Sequence, residues 1–236
     1  MFADVLPLIV KPDETETLVA LSEGQLSVVE LSQALSLPVA TIQSKIDALY
    51  RRGLLSKKRK GETRYSARPF ERIISRHLGE GRAGALNKYM IQLADYRMDE
   101  HAKRARSDPY PEGKVLPIFE AVIEPVSVVL SHETAMNILG KARSVSLRDC
   151  ECRVTFRNCT KPLRTCLAIG EFSDELVERG VAVEISLDEA KTILRTANDH
   201  GLVNQALYTD WIKGEVFDIC SCCPCCCTYL RTLMKY

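Results

Sequence analysis

ICSCCPCCC, residues 219–227, places six cysteines within eight positions: Cys220, Cys222, Cys223, Cys225, Cys226 and Cys227. The other four, Cys150, Cys152, Cys159 and Cys166, lie in RDCECRVTFRNCTKPLRTCL, residues 148–167. Residues 1–149 contain none. A disulfide scaffold spreads its cysteines through a short secreted chain, unlike this distribution. Neighbouring cysteines also pair poorly, because a bridge needs Cα atoms about 4.4–6.8 Å apart and suitably aimed Cβ vectors. Clustered thiols in a reducing compartment more often hold metal. The expectation is a cysteine-rich metal-binding domain over residues 115–236.

Spacing bears on the metal. Zinc sites usually show two separated C-x(2–4)-C knuckles. The first group has only C-x-C followed by two seven-residue steps. The second has overlapping C-x-x-C pairs, Cys220 with Cys223 and Cys222 with Cys225, and more thiols than one Zn²⁺ can use. Four cysteines complete a [4Fe–4S] cubane. Ten would complete two with two left over, or one cubane plus a different centre, or ligands shared between groups. One or two [4Fe–4S] clusters is the expectation, with zinc or redox-active disulfide pairs as alternatives. The plainest reading is a metal that only staples a small fold. Arg148, Arg153, Arg157, Lys161 and Arg164 flank the first group and would stabilise an anionic cluster, or simply form a solvated face.

The whole chain has 236 residues, 46% apolar and 27% charged, which fits one large globular domain or two small ones. Lys plus Arg number 32 against 31 acids, a net charge of +1, so a globally basic nucleic-acid binder is excluded but a local basic patch is not. The most apolar stretch, Leu116 to Leu130, is interrupted by Glu120, Glu124 and Pro125, which excludes a membrane span. The start, MFADVLPLIVKPDE, lacks a basic n-region and reads as a poor signal peptide. A cytoplasmic protein is expected.

Residues 1–68 read as a winged helix-turn-helix. A short helix over Asp13–Leu21 is predicted, with Asp13 and Glu16 as a capping box. Ser27 and Glu30 form another box opening SVVELSQAL, with Leu31 and Leu35 on one face. After the turn at 36–38, Ile42, Ile46 and Leu49 give residues 39–52 a buried helical stripe, and Gly53 suits the stop. Strands over 54–58 and 63–67 then flank a tip at Lys60-Gly61. Charge divides sharply here. Residues 1–44 hold one lysine and six acids, whereas residues 45–82 hold twelve basic residues and four acids. Lys45, Arg51 and Arg52 lie on the candidate recognition helix, and Lys57, Lys58, Arg59, Lys60 and Arg64 on the wing, where phosphates of double-stranded DNA would lie. Thr41, Gln43 and Ser44 point away from the apolar stripe, towards base edges. The same fold also serves as a protein-docking module.

Residues 69–114 are expected to connect the two domains. Helix is predicted over 69–106 with a break at Gly79 and Gly81. Leu86, Met90, Leu93 and Tyr96 keep helical spacing, which suits a core or the seam of a homodimer. SDPYPEGK, residues 107–114, reads as a linker. Beyond it the pattern predicts a strand over 115–123, helices over 131–141 and 162–179, and a strand over 181–185. A capped helix from Ser186 to Asp199 and a strand over 202–208 follow. The fold class is α+β.

The arrangement C-E-C-R, then C-x-x-P-x-x-x-C-L (Cys159, Pro162, Cys166, Leu167), then SLDEAKTILRTANDHGLVNQA, then ICSCCPCCC resembles a group of 4Fe–4S-binding proteins of anaerobic bacteria and archaea. The likeness extends to the N-terminal winged helix and covers most of the chain. It implies iron–sulfur binding through Cys150, Cys152, Cys159 and Cys166 together with the 220–227 group. Many relatives continue into a bacterial-type ferredoxin module, but this sequence has no C-x-x-C-x-x-C-x-x-x-C-P run.

Two functions follow as expectations. One is a redox- or cluster-responsive transcriptional regulator that binds DNA. The other is an electron-transfer or metalloenzyme-maturation protein whose winged helix docks a redox partner. Hydrolase and transferase motifs are not visible, and His77, His101, His132 and His200 are scattered.

Overall fold

The computed structural model describes residues 7–59, 61–68, 127–208 and 216–235, together with isolated helical positions between Tyr89 and Asp99. Lys60, most of the expected connector, its linker and the strand expected over 115–123 lie outside the described residues. The chain is mixed helix and sheet and divides into two compact units, Met1–Met90 and Ile91–Tyr236.

In the first unit, a 3₁₀ turn at Pro12–Glu14 leads into α1 (Thr15–Ser22), followed by α2 (Val28–Leu35) and α3 (Val39–Arg51). β1 (Leu55–Lys58) and β2 (Arg64–Ala67) pair antiparallel. The Asp13–Glu16 capping box does not form. Pro12 sets the first turn, and the Lys11 N–H donates instead to Glu14 at 2.9 Å. The Ser27–Glu30 box forms as expected, with both reciprocal bonds present. Leu21, Leu31, Ile42, Ile46, Leu49, Leu54 and Leu55 are fully buried and make the core. Gly53, at φ 76°, ends α3 in the left-handed region, where a Cβ would be strained. Leu26 and Tyr65 exchange two backbone bonds, so the entry to α2 adds an extended edge to the hairpin.

In the second unit, β3 (Ser127–Leu130), α4 (His132–Gly140), β4 (Val145–Asp149), α5 (Glu151–Phe156) and β5 (Arg164–Ile169) come first. Then follow α6 (Glu171–Glu178), β6 (Val183–Glu184), α7 (Leu187–Asp199), β7 (Val203–Tyr208), β8 (Val216–Cys222) and α8 (Thr228–Lys235). The six strands form one sheet in the order β3-β7-β8-β5-β4-β6, antiparallel at every pairing. The helix expected over 162–179 is corrected: its first half is β5 and only its second half is helical. RTCLAI is buried on both faces inside the sheet, and such strands read as continuous apolar runs that periodicity alone cannot tell from helix. Leu167 and Ile169 pack with Ala135 and Leu139 of α4 and Ala190 and Leu194 of α7. Ala168 faces the other way, against Leu176 of α6.

Helix α7 starts at a complete capping box. Ser186 Oγ accepts from the Glu189 N–H at 3.2 Å, and the Glu189 carboxylate accepts from the Ser186 N–H at 2.8 Å. Ser186→Ala is expected to cost about 0.5–2 kcal/mol, seen as a lower urea midpoint at unchanged slope. An unmoved midpoint would mean that packing of Ala190 and Leu194 alone holds the helix.

Candidate functional site

Ten thiols converge in the second unit, and all are free. They form two sets, and neither matches a group in the sequence. Cys159, from the loop after α5, meets Cys223, Cys225 and Cys226 from the turn after β8, with their sulfurs all within 4.8 Å of one another. Cys159 Sγ lies 3.8 Å from both Cys223 Sγ and Cys226 Sγ. These four residues can hold a metal ion. A tetrahedron of sulfurs about 2.3 Å from a single ion has corners about 3.8 Å apart. Cys223 and Cys226 form a third overlapping C-x-x-C pair, which supplies the one knuckle of the set.

The turn is locally determined. The Cys226 and Cys227 N–H groups donate to the Cys223 carbonyl at 3.3 and 2.9 Å, and Asn158 Nδ2 donates to the Cys225 carbonyl at 2.8 Å. Asn158 thus ties the Cys159 loop to the turn. Ala197, Leu202 and Phe156 pack around the set.

The remaining six thiols form a closed ring. Cys150 interacts with Cys152 and Cys166, Cys166 with Cys220, Cys220 with Cys222, Cys222 with Cys227, and Cys227 with Cys152. Sheet register builds half of it. Leu167 pairs with Ile219, which sets Cys166 across from Cys220 on the same face of the sheet. Cys222 follows two residues on and shares that face. Cys150 caps α5, Cys152 lies in its first turn, and Cys227 directly precedes α8.

Polar groups line the ring. Gln205, paired with Cys220 in the sheet, accepts from Cys222 Sγ at 2.9 Å and from Cys227 Sγ at 3.5 Å. Arg148 forms an ion pair with Asp218, whose carboxylate also accepts from Cys220 Sγ at 3.6 Å. Arg153 is only 1% exposed. Its Nη1 donates to the Ser221 carbonyl at 2.7 Å, its Nη2 donates to Thr165 Oγ1, and it reaches the Cys223 thiol. Its Nε has no partner among the described residues, nor does Nε of Arg148.

In each set one thiol is held below the ordinary thiol range. Bonds from Cys150 and Cys227 hold Cys152 well below the ordinary thiol range. Burial opposes ionisation of Cys159, but the Lys161 N–H and the neighbouring thiols hold it low. Burial pushes Cys226 up to about 12, and its thiol neighbours add to that. Thiol contacts and burial together raise Cys150. Ligation of these thiols releases protons.

The basic residues of the first unit are placed unevenly. Lys45 Nζ donates to the Asp13 carbonyl at 2.7 Å, and Arg52 pairs with Glu14 at 2.5 Å and with the Ile9 carbonyl. Arg64 bonds Glu30 at 2.7 Å and the Gln25 carbonyl at 3.0 Å. Lys57 sits over the rings of Tyr50 and Tyr65. These four cations therefore support the fold of the unit. Arg51, Lys58 and Arg59 are exposed, as are Thr41 and Ser44 on α3, while Gln43 bonds Asp47 at 2.9 Å. Sequence reasoning placed Arg153 only among several flanking cations and did not single out Gln205. Neither carries a local motif, since both act through residues distant in sequence.

No family model matches this chain, and no curated protein or solved structure is significantly similar to it. Among the described residues, no helix is long and apolar enough to cross a membrane.

Proposed function

We propose that this chain is an iron–sulfur-binding winged-helix protein, a transcriptional regulator that binds duplex DNA and responds to the state of its metal. One observation carries the reading: thiols from two segments separated by more than fifty residues converge into two sets within one folded unit. Soft thiolates in that number suit iron–sulfur chemistry. Metal binding there is also folding free energy, so gain or loss of the cluster changes the order of the unit that carries it.

The first unit supports the DNA-binding half. Three helices precede a hairpin, α3 exposes Thr41 and Ser44, and Arg51, Lys58 and Arg59 are exposed at its end and on the hairpin. The internal pairing of Lys45, Arg52 and Arg64 favours a second reading, in which this module docks a redox or maturation partner.

Two measurements test these proposals. Purified without oxygen, the protein is expected to carry at least about four iron per chain with matching sulfide. Stoichiometric zinc without sulfide overturns the iron–sulfur reading. In a salt titration against duplex fragments of its own promoter region, Arg51→Ala and Lys58→Ala are each expected to lower the salt slope by about one unit. Thr41→Ala and Ser44→Ala should instead relax sequence preference by about 1–3 kcal/mol at the touched base pair. If metal-loaded and metal-free protein both bind only nonspecifically at low salt, the regulator reading falls and the docking module stands.

A further inference from the structure

We infer that the six-membered thiol ring is a metal site of its own, holding one polynuclear iron–sulfur centre, while the four-thiol set beside it holds a single tetrahedral ion. The inference rests on the iron–sulfur reading above and divides the metal between two places.

Ligand number and arrangement separate the sets. The four-thiol set has the 3.8 Å spacings of ligands around one ion. A cubane inserts a cube of iron and sulfide between its thiolates and needs a wider cage than that. The ring differs in ligand number. One tetrahedral ion uses four ligands, and six thiols in a closed loop cannot all reach it. A polynuclear centre uses such a ring, which supplies at least the four thiolates that a cubane takes. The strand frame fixes three members of the ring, because Cys166 and Cys220 face each other across neighbouring strands and Cys222 lies one pleat further along.

Charge supports an anionic occupant. Arg153 is buried, yet no described carboxylate lies within ion-pair distance of it. A buried cation without a counter-charge is strongly disfavoured. The groups around Arg153 that can become anionic are thiols: Cys150 and Cys166 of the ring and Cys223 of the four-thiol set. Metal ligation turns those thiols into thiolates and releases their protons to solvent, which gives the guanidinium its counter-charge. Arg153 therefore lies between two anionic centres and offers an unpartnered Nε–H. Arg148 adds a second unpartnered Nε–H at the ring, with Asp218 already neutralising its charge in part. Asp218 is the one described carboxylate bonded to a ring thiol; it opposes ionisation of Cys220, and its ion pair with Arg148 offsets part of that negative charge.

The full chain, purified without oxygen and reconstituted with ferrous iron, sulfide and Zn²⁺, tests this by metal and acid-labile sulfide analysis. Cys166→Ser and Cys220→Ser are expected to lose most of the sulfide and its iron while keeping one tightly held ion. Cys159→Ser and Cys226→Ser are expected to lose that ion and keep the sulfide. If substitutions in both sets remove sulfide equally, the thiols form one shared centre. That outcome overturns the division but leaves the iron–sulfur reading intact. Wild-type protein without sulfide overturns both. Should a variant fail to fold, X-ray absorption on the wild-type protein decides. The expected result is one metal with a sulfur-only shell at about 2.3 Å and no metal neighbour, beside iron with iron neighbours. Metal neighbours around all of the bound metal would overturn the inference.

Discussion

Stripping metal from the loaded chain with a chelator, without oxygen, is expected to unfold the thiol-bearing end of the second unit and to leave the first unit intact. Apparent binding free energies at structural metal–thiolate sites reach about 10–16 kcal/mol, as large as the whole stability of a typical domain, about 5–15 kcal/mol. The effect should be local because the apolar core does not depend on thiols. Leu139, Val145, Leu167, Leu194 and Ile219 pack with one another over the sheet, whereas Cys223 and Cys226 form the heart of a smaller cluster with Ala197, Leu202 and Phe156. Hydrogen exchange read by mass spectrometry should show protection lost over residues 150–163 and 223–235 and kept over 27–58 and over the core strands β5 and β8. Unchanged exchange at 223–235 would mean that the turn and α8 hold without metal, and that the metal has no structural part.

Substituting Arg153 is expected to change stability in opposite directions with and without metal. In the loaded protein, Arg153→Met removes the buried cation between thiolates and leaves their charge uncompensated. The cost should be about 3–5 kcal/mol, as when one partner of a buried ion pair is removed. In the metal-free protein most of these thiols are protonated, and the same buried guanidinium lacks a counter-charge. There a methionine of similar length should be neutral or stabilising. Denaturant unfolding without oxygen, before and after chelation, measures both. A loss of equal size in the two states would mean that Arg153 acts only through its bonds to the Ser221 carbonyl and Thr165. The substitution should also lower the reduction potential of a bound cluster, because a nearby cation favours the more negative reduced state.

Most local signals in the chain led to correct elements, the Asp13–Glu16 box excepted, which gave way to the turn that Pro12 opens. Ser27 with Glu30 and Ser186 with Glu189 both form their boxes, since each needs only bonds within one helical turn. Gly53 stops α3 because a backbone of positive φ favours glycine whatever surrounds it. The stripe of Ile42, Ile46 and Leu49 is buried as its spacing required. Lys45, Arg52 and Arg64 were legible as a basic cluster, but their ion pairs with Asp13, Glu14 and Glu30 join residues more than thirty positions apart. Whether a cation faces solvent or a carboxylate is decided by packing.

The cysteines show the same division most sharply. Composition and clustering were enough to indicate metal, because ten thiols in two short segments have few other uses. The grouping in the chain did not indicate which thiols act together. Cys222 and Cys223 are neighbours in sequence but enter different sets, because successive side chains at the end of a strand point to opposite faces of the sheet. Cys166 and Cys220 are far apart in sequence but adjacent in space, through the register that pairs Leu167 with Ile219. Adjacency along the chain was enough to point to thiols that can hold metal. The pairing of β5 with β8 brought Cys166 to Cys220 and Cys222 on one face, and the turn after β8 and the Cys159 loop brought the set of four together, because strand register and loop packing join residues that the chain keeps apart.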